Sequence, residues 1–478
     1  MWLETKYYFS FIISLLCSCF ATAQTDPVIS IPDSIAIQPA ATIIEVGNIE
    51  FTGNKKTKGI IMLREIPFKT GDIYPLDVLV EKFEDGRKQL MNTSLFHSVT
   101  IAAKNFEGSK INVIITVRER WYLFPLPYFK PVDRNLNQWL IEQKASLSRV
   151  NYGAKLLYNN VTGKNDKLRF KVINGYTKQL SFSYDRLYID KKLKWGARVS
   201  FDAGKNKEIN YNTIQNKQAF VKQEDVYTRR FINAYAEVTY RRAIKTRHSF
   251  GIGFTHETIS DTVALLNPSY FNLGRTSISY PEINYTMSYF DLDYIPYPTK
   301  GYAVQLSIGK KGFNKILDVW GFEVKASASW PLSKKTFFNL TTVGGLKLPF
   351  KQSYFNQRFL GYGDAYLQGY EYYVVDGVAG GVVRTTFTRE LLNFKIKIPA
   401  KRGKEPERIP VRIFGKTYGN AGYAHNPQPG ENSLSNKMLY SGGFGIDILT
   451  FYDVTFKLEY SFNAIGQNGL FLHRKSIF

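Results

Sequence analysis

His97, His248, His256, His425 and His473 are the only histidines of this chain, and they lie far apart in it. The stretch HETIS, which begins at His256, lacks the second histidine that would complete a zinc-binding helix. No G-x-S-x-G occurs, so the nucleophile elbow of the serine hydrolases is absent. Gly442, Gly443 and Gly445 fall within an alternating strand, not between a strand and a helix, and so form no phosphate cradle. The two cysteines, Cys17 and Cys19, both precede Ala21-Thr22-Ala23. A chain cut after Ala23 would keep neither a thiolate metal site nor a disulfide. The residues therefore predict no enzyme, no metal and no cofactor. What remains is a stretch suited to non-covalent work: FLGYGDAYLQGYEYYVVDG, Phe359 to Gly377, rich in glycine and tyrosine among strand-like neighbours.

The elements that must hold that stretch come from composition and pattern. The 478 residues carry a formal net charge of +23 and are 15% aromatic, yet the mean hydropathy is only -0.24. Rings spread thinly along alternating strands account for this combination. The charge fits either nucleic acid or a basic lumen with basic loops beside anionic headgroups. The basic residues form no dense run on a recognisable reader, which favours the second.

Residues 1–23 read as a signal peptide: Lys6, the apolar run from Tyr7 to Leu16, then the small-x-small site at Ala21 and Ala23. Lipidation at Cys19 is the other reading. Residues 24–41 hold three prolines and read as a linker. Residues 42–120 run strand, helix, helix, strand, strand, a unit that buries two helices on one face of a small sheet. Its second helix carries Leu76, Leu79, Val80, Phe83, Leu90 and Met91 at near-helical spacing. Its final two strands are expected to turn at Phe106-Glu107-Gly108.

Residues 121–478 alternate with period two. In DVTFKLEYSF, Val454, Phe456, Leu458, Tyr460 and Phe462 share one face, and Asp453, Thr455, Lys457, Glu459 and Ser461 the other. LKWGARVSFD, from Leu193, and GYAVQLSIG repeat the pattern. About 16 such strands fit the region, each near the 9–11 residues that cross a bilayer when tilted. The long links 203–228, 258–275, 349–378 and 423–438 then fall on one side, with short links on the other; NFKIKIPAKRGKEPERIP is a long basic exception. The predicted fold is β-rich: a small α+β domain followed by a transmembrane antiparallel β-barrel of about 16 strands. Phe478, the last residue, fits a final strand ending at the inner interface.

VGNIEFTGNKKTKGIIMLREIPFKTGDIYPLDVLVEKFEDGRKQLMNTSLFHSVTI resembles a POTRA domain, through the Gly53-Asn54 turn, the Gly71-Asp72 turn and Phe96 of the Leu95-Phe96 pair. FDLDYIPYPTKGYAVQLSI, GYGDAYLQGY, YGNAGYAHN and SGGFGIDI are similar to segments of the BamA/TamA-type outer-membrane assembly factors, the bacterial surface antigen barrels. The resemblance implies that the Gly361–Tyr370 loop folds back into the barrel, with Gly361, Gly363, Gln368, Gly369 and Tyr370 in the lumen. Where the family has an arginine that meets acidic side chains, this chain has Gln368, and the acidic position is matched by Asn420. A Gln368–Asn420 amide contact, or one to Asp447, is then expected in place of the ion pair.

The resemblance further implies a Gram-negative outer membrane location with the POTRA domain in the periplasm. The implied partners are outer-membrane lipid, unfolded or secreted client chains and periplasmic accessory proteins, with no nucleic acid. The implied function is protein assembly, insertion or translocation through POTRA binding of clients and a barrel seam. The alternatives are a passive pore or structural membrane protein that docks a periplasmic partner through the POTRA unit, and a surface adhesin that acts through its outer loops.

Overall fold

A computed structural model describes residues 43–131, 138–223, 225–398 and 407–473. The signal peptide 1–23, the linker 24–41 and Phe478 lie outside the described residues. The N-terminal unit comprises β1 (Ile43–Thr52), α1 (Gly59–Glu65), β2 (Ile73–Pro75), α2 (Leu76–Asn92), β3 (Phe96–Glu107) and β4 (Lys110–Glu119). The sheet order is β2-β1-β4-β3, with β1 parallel to β4. Val46, Met62, Leu90, Phe96 and Ile115 are wholly buried between the sheet and the two helices. Of the stripe on α2, Leu79 and Leu90 are buried while Leu76 and Val80 are exposed. Gly53 has φ +84, and a Cβ there would lie 2.0 Å from the Val117 carbonyl oxygen. The Asn54 side chain donates to the Thr57 carbonyl at 3.0 Å. Gly71 N–H donates to the Val46 carbonyl, and Asp72 accepts from Lys69 N–H at 2.8 Å. The β3–β4 turn lies one step later than the sequence suggests: Glu107 still pairs with Lys110, because the left-handed turn conformation falls at Gly108.

The rest of the chain is dominated by one antiparallel sheet. Its strands are β5 (Leu123–Pro131), β6 (Val150–Asn159), β7 (Lys167–Gly175), β8 (Thr177–Arg186) and β9 (Trp195–Asn206). A short hairpin, β10 (Glu208–Ile214) and β11 (Lys217–Lys222), stands apart from it. Then come β12 (Arg229–Tyr240), β13 (Thr246–Ile259), the short helix α3 (Asp261–Leu266), β14 (Ser277–Leu292), β15 (Gly301–Lys311), β16 (Val319–Pro331) and β17 (Thr336–Leu348). A second small pair, β18 (Arg358–Leu360) and β19 (Val375–Asp376), precedes β20 (Ala379–Ile398), β21 (Glu407–His425), β22 (Leu439–Leu449), β23 (Thr455–Asn463) and β24 (Asn468–His473). The large sheet has 16 strands, each beside its sequence neighbour, from β5 at one end to β24 at the other.

Burial along these strands is the inverse of a water-soluble sheet. On β23, Phe456, Leu458 and Phe462 are 43–48% exposed, while Glu459 is 1% and Ser461 0% exposed. Apolar residues face outward and polar residues inward, which is stable only where the outer solvent is hydrocarbon. The links 160–166, 187–194, 241–245 and 450–454 lie at the end that carries the N-terminal unit, where each touches it or the segment leading out of it. The long links hold β10, β11, α3, β18 and β19 at the far end. NFKIKIPAKRGKEPERIP is not simply a link: β20 and β21 extend into it from its two ends, with Phe394 opposite Val411 and Ile396 opposite Ile409. The alternation of Phe394, Ile396 and Ile398 with Lys395 and Lys397 is itself a strand pattern, which explains the correction.

The N-terminal unit is docked on the near end of the sheet. Glu65, at the end of α1, accepts from Arg241 at 2.5 and 2.7 Å and from the Tyr188 hydroxyl at 2.7 Å. Arg64 donates to the carbonyls of Leu193 and Arg241. Leu193 is not part of a strand, as its alternation suggests; it sits in a turn and is buried against the unit. Asn92 closes the contact on Leu292 and Ile295 at 3.0 Å each.

Burial by itself would raise the Glu65 carboxyl, but the Arg241 charge and the hydrogen bonds from Arg241 and Tyr188 outweigh it and hold the group below its ordinary 4.5. Burial, then the Glu65 charge, pushes the Tyr188 hydroxyl up to about 12. A carboxyl lowered by folding contributes fully above 4.5, and that contribution is lost as pH falls through the folded-state value. Arg241→Met leaves Glu65 charged and buried, at an expected cost of about 3–5 kcal/mol. Limited proteolysis between 119 and 123 checks both statements: wild type resists at neutral pH and opens on the acid side of 4.5, whereas the variant opens at neutral pH as well.

Candidate functional site

The link between β17 and β20, residues 349–378, does not project from the far end. Leu360, Leu367, Tyr370 and Val375 are buried against Val343, Val382, Ala424 and Leu439 of the surrounding strands and links. Apolar side chains drive this segment into the interior, since four such residues left in water would forfeit about 1.5–3 kcal/mol each. Gly361 N–H donates to the Ala365 carbonyl, forming a tight turn that spans Gly363. Gly369 needs to be glycine: its φ is +89, and a Cβ would lie 3.2 Å from the Phe462 carbonyl oxygen.

The turn presents Gln368 to a buried charge cluster. Gln368 Nε2 donates to Glu459 Oε1 at 2.7 Å. Lys416 Nζ lies 2.5 Å from Glu459 Oε1 and 2.5 Å from Asp447 Oδ1. Both carboxylates are thus ion-paired to the same ammonium group. Tyr297 Oη donates to Asp447 Oδ2 at 2.9 Å. His473 of β24 contacts Glu459 and stands 3.4 Å from Glu371 of the loop. The loop is fastened elsewhere by Lys325 to Asp364 at 2.9 Å, by Asn463 to the Gly369 carbonyl at 2.6 Å and by Tyr370 Oη to the Tyr440 carbonyl at 3.3 Å. Lys325 is on β16 and Asn463 on β23, so one loop joins strands far apart in the sheet, which must therefore curl around it.

FDLDYIPYPTKG, which joins β14 to β15, supplies Tyr297. Asp293 accepts from Thr299 N–H at 3.0 Å and Lys300 N–H at 3.1 Å, bending the chain into a tight loop. The ring of Tyr297 stacks on Phe414 at 4.5 Å. The far end is covered as well. Tyr354 Oη donates to Asn210 at 2.8 Å, Val374 N–H donates to the Asn216 carbonyl at 2.9 Å, and Asn216 N–H donates to Asn432 at 2.8 Å. These bonds tie the β9–β12 link to the loop and to the β21–β22 link.

Gln368 and Asn420 do not meet. Asn420 is buried and donates to Ser441 at 3.1 Å. Asp447 is occupied by Lys416 and Tyr297, and Glu459 receives the loop amide instead. Lys416, Glu459 and Tyr297 were not singled out by sequence. Their signal was no more than a charged or polar residue on an inward face, shared with many others; only register puts Lys416 opposite Gly445 and Asp447 opposite Lys457. Among the described residues no cluster of histidine, cysteine and carboxylate side chains could hold a metal.

A POTRA family model, described as "Surface antigen variable number repeat", matches residues 44–120. The model of the Omp85 superfamily domain matches residues 160–450. Among solved structures, BamA from Haemophilus ducreyi lacking POTRA domains 1–3 is 15% identical with a TM-score of 0.48, covering 90% of this chain and 83% of that one. CdiB from Escherichia coli is 9% identical with a TM-score of 0.53, over 90% and 74%. CdiB from Acinetobacter baumannii is 12% identical with a TM-score of 0.46, over 89% and 71%. No curated protein sequence matches the chain. At such identities the likeness to CdiB from Escherichia coli is one of fold.

Lys416→Met removes the cation that both Asp447 and Glu459 touch, leaving only Lys457 opposite Asp447 and His473 beside Glu459, at an expected cost of up to about 3–5 kcal/mol. Adding Gln368→Arg returns a cation to Glu459 from the loop side and is expected to recover about half of the loss, as a coupled pair should. Thermal unfolding of the purified proteins in detergent measures both. A Lys416→Met chain as stable as wild type would contradict the assigned role.

Proposed function

This chain belongs to the Omp85 superfamily, and from that premise we propose that it assists the assembly, insertion or translocation of protein chains at the outer membrane. Its N-terminal POTRA unit, residues 42–120, would lie in the periplasm and offer client chains a sheet edge, taking up an extended segment by backbone pairing. Its barrel, residues 121–478, would pass clients along the seam between the first and last strands.

The observation that carries this reading is that the sheet's interior is locked while its two end strands are left unpaired with each other among the described residues. The loop around Gln368 braces the wall, and the linked outer segments cover the far end. Such an interior does not suit free diffusion through the lumen, whereas two end strands that do not ladder with each other among the described residues suit exchange at the side. The energy would come from client folding and insertion, with no nucleotide required. Protein clients and outer-membrane lipid are the partners this implies, with periplasmic accessory proteins at the POTRA unit.

Depletion in the native host tests the proposal, with the outer-membrane proteome as readout. Broad loss of outer-membrane proteins is expected for an assembly factor, and loss of one secreted protein for a dedicated transporter. Neither loss, together with a large and steady conductance of the purified protein in planar bilayers, would replace the proposal with a passive pore.

A further inference from the structure

The sheet's first strand has an unusual composition: β5 reads LFPLPYFKP. One of its edges is laddered to β6 in unbroken register, from Leu123 opposite Tyr158 to Pro131 opposite Val150. Just before it, Asn159 N–H donates to the Tyr122 carbonyl at 2.8 Å, which sets the parity of the ladder. Hydrogen-bonded and non-bonded pairs alternate in an antiparallel ladder. Phe124, Leu126, Tyr128 and Lys130 therefore turn their backbone groups toward β6. Leu123, Pro125, Pro127, Phe129 and Pro131 turn theirs to the other edge. Three of those five have no N–H, and the proline ring carbon stands where the hydrogen would be. A carbonyl on that edge, that of Leu123, already accepts from the Trp121 indole. The N–H groups left on it, at Leu123 and Phe129, are about 20 Å apart along the strand.

We propose that this edge of β5 is an acceptor edge that cannot template a strand, whether β24 or an incoming chain, and that the seam is held at its foot by side chains instead. The fastening is present. Arg120 pairs with Asp453 of the β22–β23 turn at 2.6 and 3.1 Å. Trp121 N–H donates to Tyr452 Oη at 3.0 Å, and the Phe124 ring packs edge-on to Tyr452 at 5.1 Å. Above that foot the edge fits a partner that donates hydrogen bonds without needing to accept them, as the Trp121 indole does. Within the assembly reading, on which this consequence rests, strand uptake is excluded from the first strand of the barrel.

Disulfide trapping in the full chain tests the edge without reference to any client. In a Cys17→Ser, Cys19→Ser background in lipid nanodiscs, Leu123→Cys or Phe129→Cys is combined in turn with Asn468→Cys, Leu470→Cys or Leu472→Cys. Laddered strands bring Cα atoms to about 4.5–5.5 Å, within disulfide reach. Leu458→Cys with Leu472→Cys, opposite one another across β23 and β24, is the control pair. With the prolines in place, every seam pair is expected to oxidise at least about tenfold more slowly than the control. With Pro125→Thr, Pro127→Thr and Pro131→Thr, one register of seam pairs is expected to approach the control rate. A seam pair that matches the control with the prolines present would overturn the proposal. So would a triple variant whose control pair oxidises normally while all its seam pairs stay slow. Because no client enters the assay, failure here is separable from failure of the assembly function.

Discussion

Inside a bilayer a backbone N–H or carbonyl cannot turn to water for a partner, so a strand that crosses must be bonded on both sides. Most of this structure follows from that requirement. Fourteen interior strands of the large sheet each lie between two sequence neighbours, and their apolar side chains face outward because hydrocarbon is the outer solvent. Among the described residues the two end strands, β5 and β24, are the only strands of the large sheet with a single neighbour. There the exception is written into the first strand, whose outward-facing positions are largely proline. An edge with few donors is a device against unwanted pairing in water-soluble sheets. On the proposal above, it would act here between the two ends of one sheet.

The interior adds a second source of shape to the laddered wall. The Gln368 loop reaches β16, β21 and β23 through separate contacts, and Lys416 holds two carboxylates that would otherwise repel each other. At Glu459 the cation sits on the wall and the loop contributes a neutral amide, whereas elsewhere the loop brings carboxylates to wall cations, Asp364 to Lys325 and Glu371 to His473. Charged contacts recur at the near end. Glu65 and Arg241 form a buried pair between the N-terminal unit and the sheet, while Arg120 and Asp453 fasten the foot of β5. In each case a charged pair joins elements that no backbone ladder connects.

Much of the fold was legible in the sequence. Alternation of Phe456, Leu458 and Phe462 with Lys457, Glu459 and Ser461 is local, and it requires a two-faced strand wherever the segment lies. Repeated about 16 times it leaves few architectures, and the helix–strand order of residues 42–120 leaves few for the small domain. The errors were local too. β20 and β21 extend into both ends of a stretch whose charge suggested a link, and Leu193 left its alternating pattern to be buried in a turn against the N-terminal unit. A period-two pattern records the face a residue prefers, not where pairing stops.

The site was legible only in part, and for a physical reason. Glycine and tyrosine content marked the loop, and an amide at Gln368 is a property of one position. Its partner is a property of register and curvature. Whether Gln368 meets Asn420, Asp447 or Glu459 depends on how far each strand slides past the next and how tightly the sheet curls, and no single strand carries that information. The sequence by itself determined which residues face in, which face out and which positions of β5 lack a donor, because those are consequences of side-chain type and period. Only the tertiary structure decided that Lys416 bridges Asp447 and Glu459, that Glu65 lies under Arg241 and that the prolines of β5 stand on the edge away from β6, because each depends on atoms brought together from distant parts of the chain.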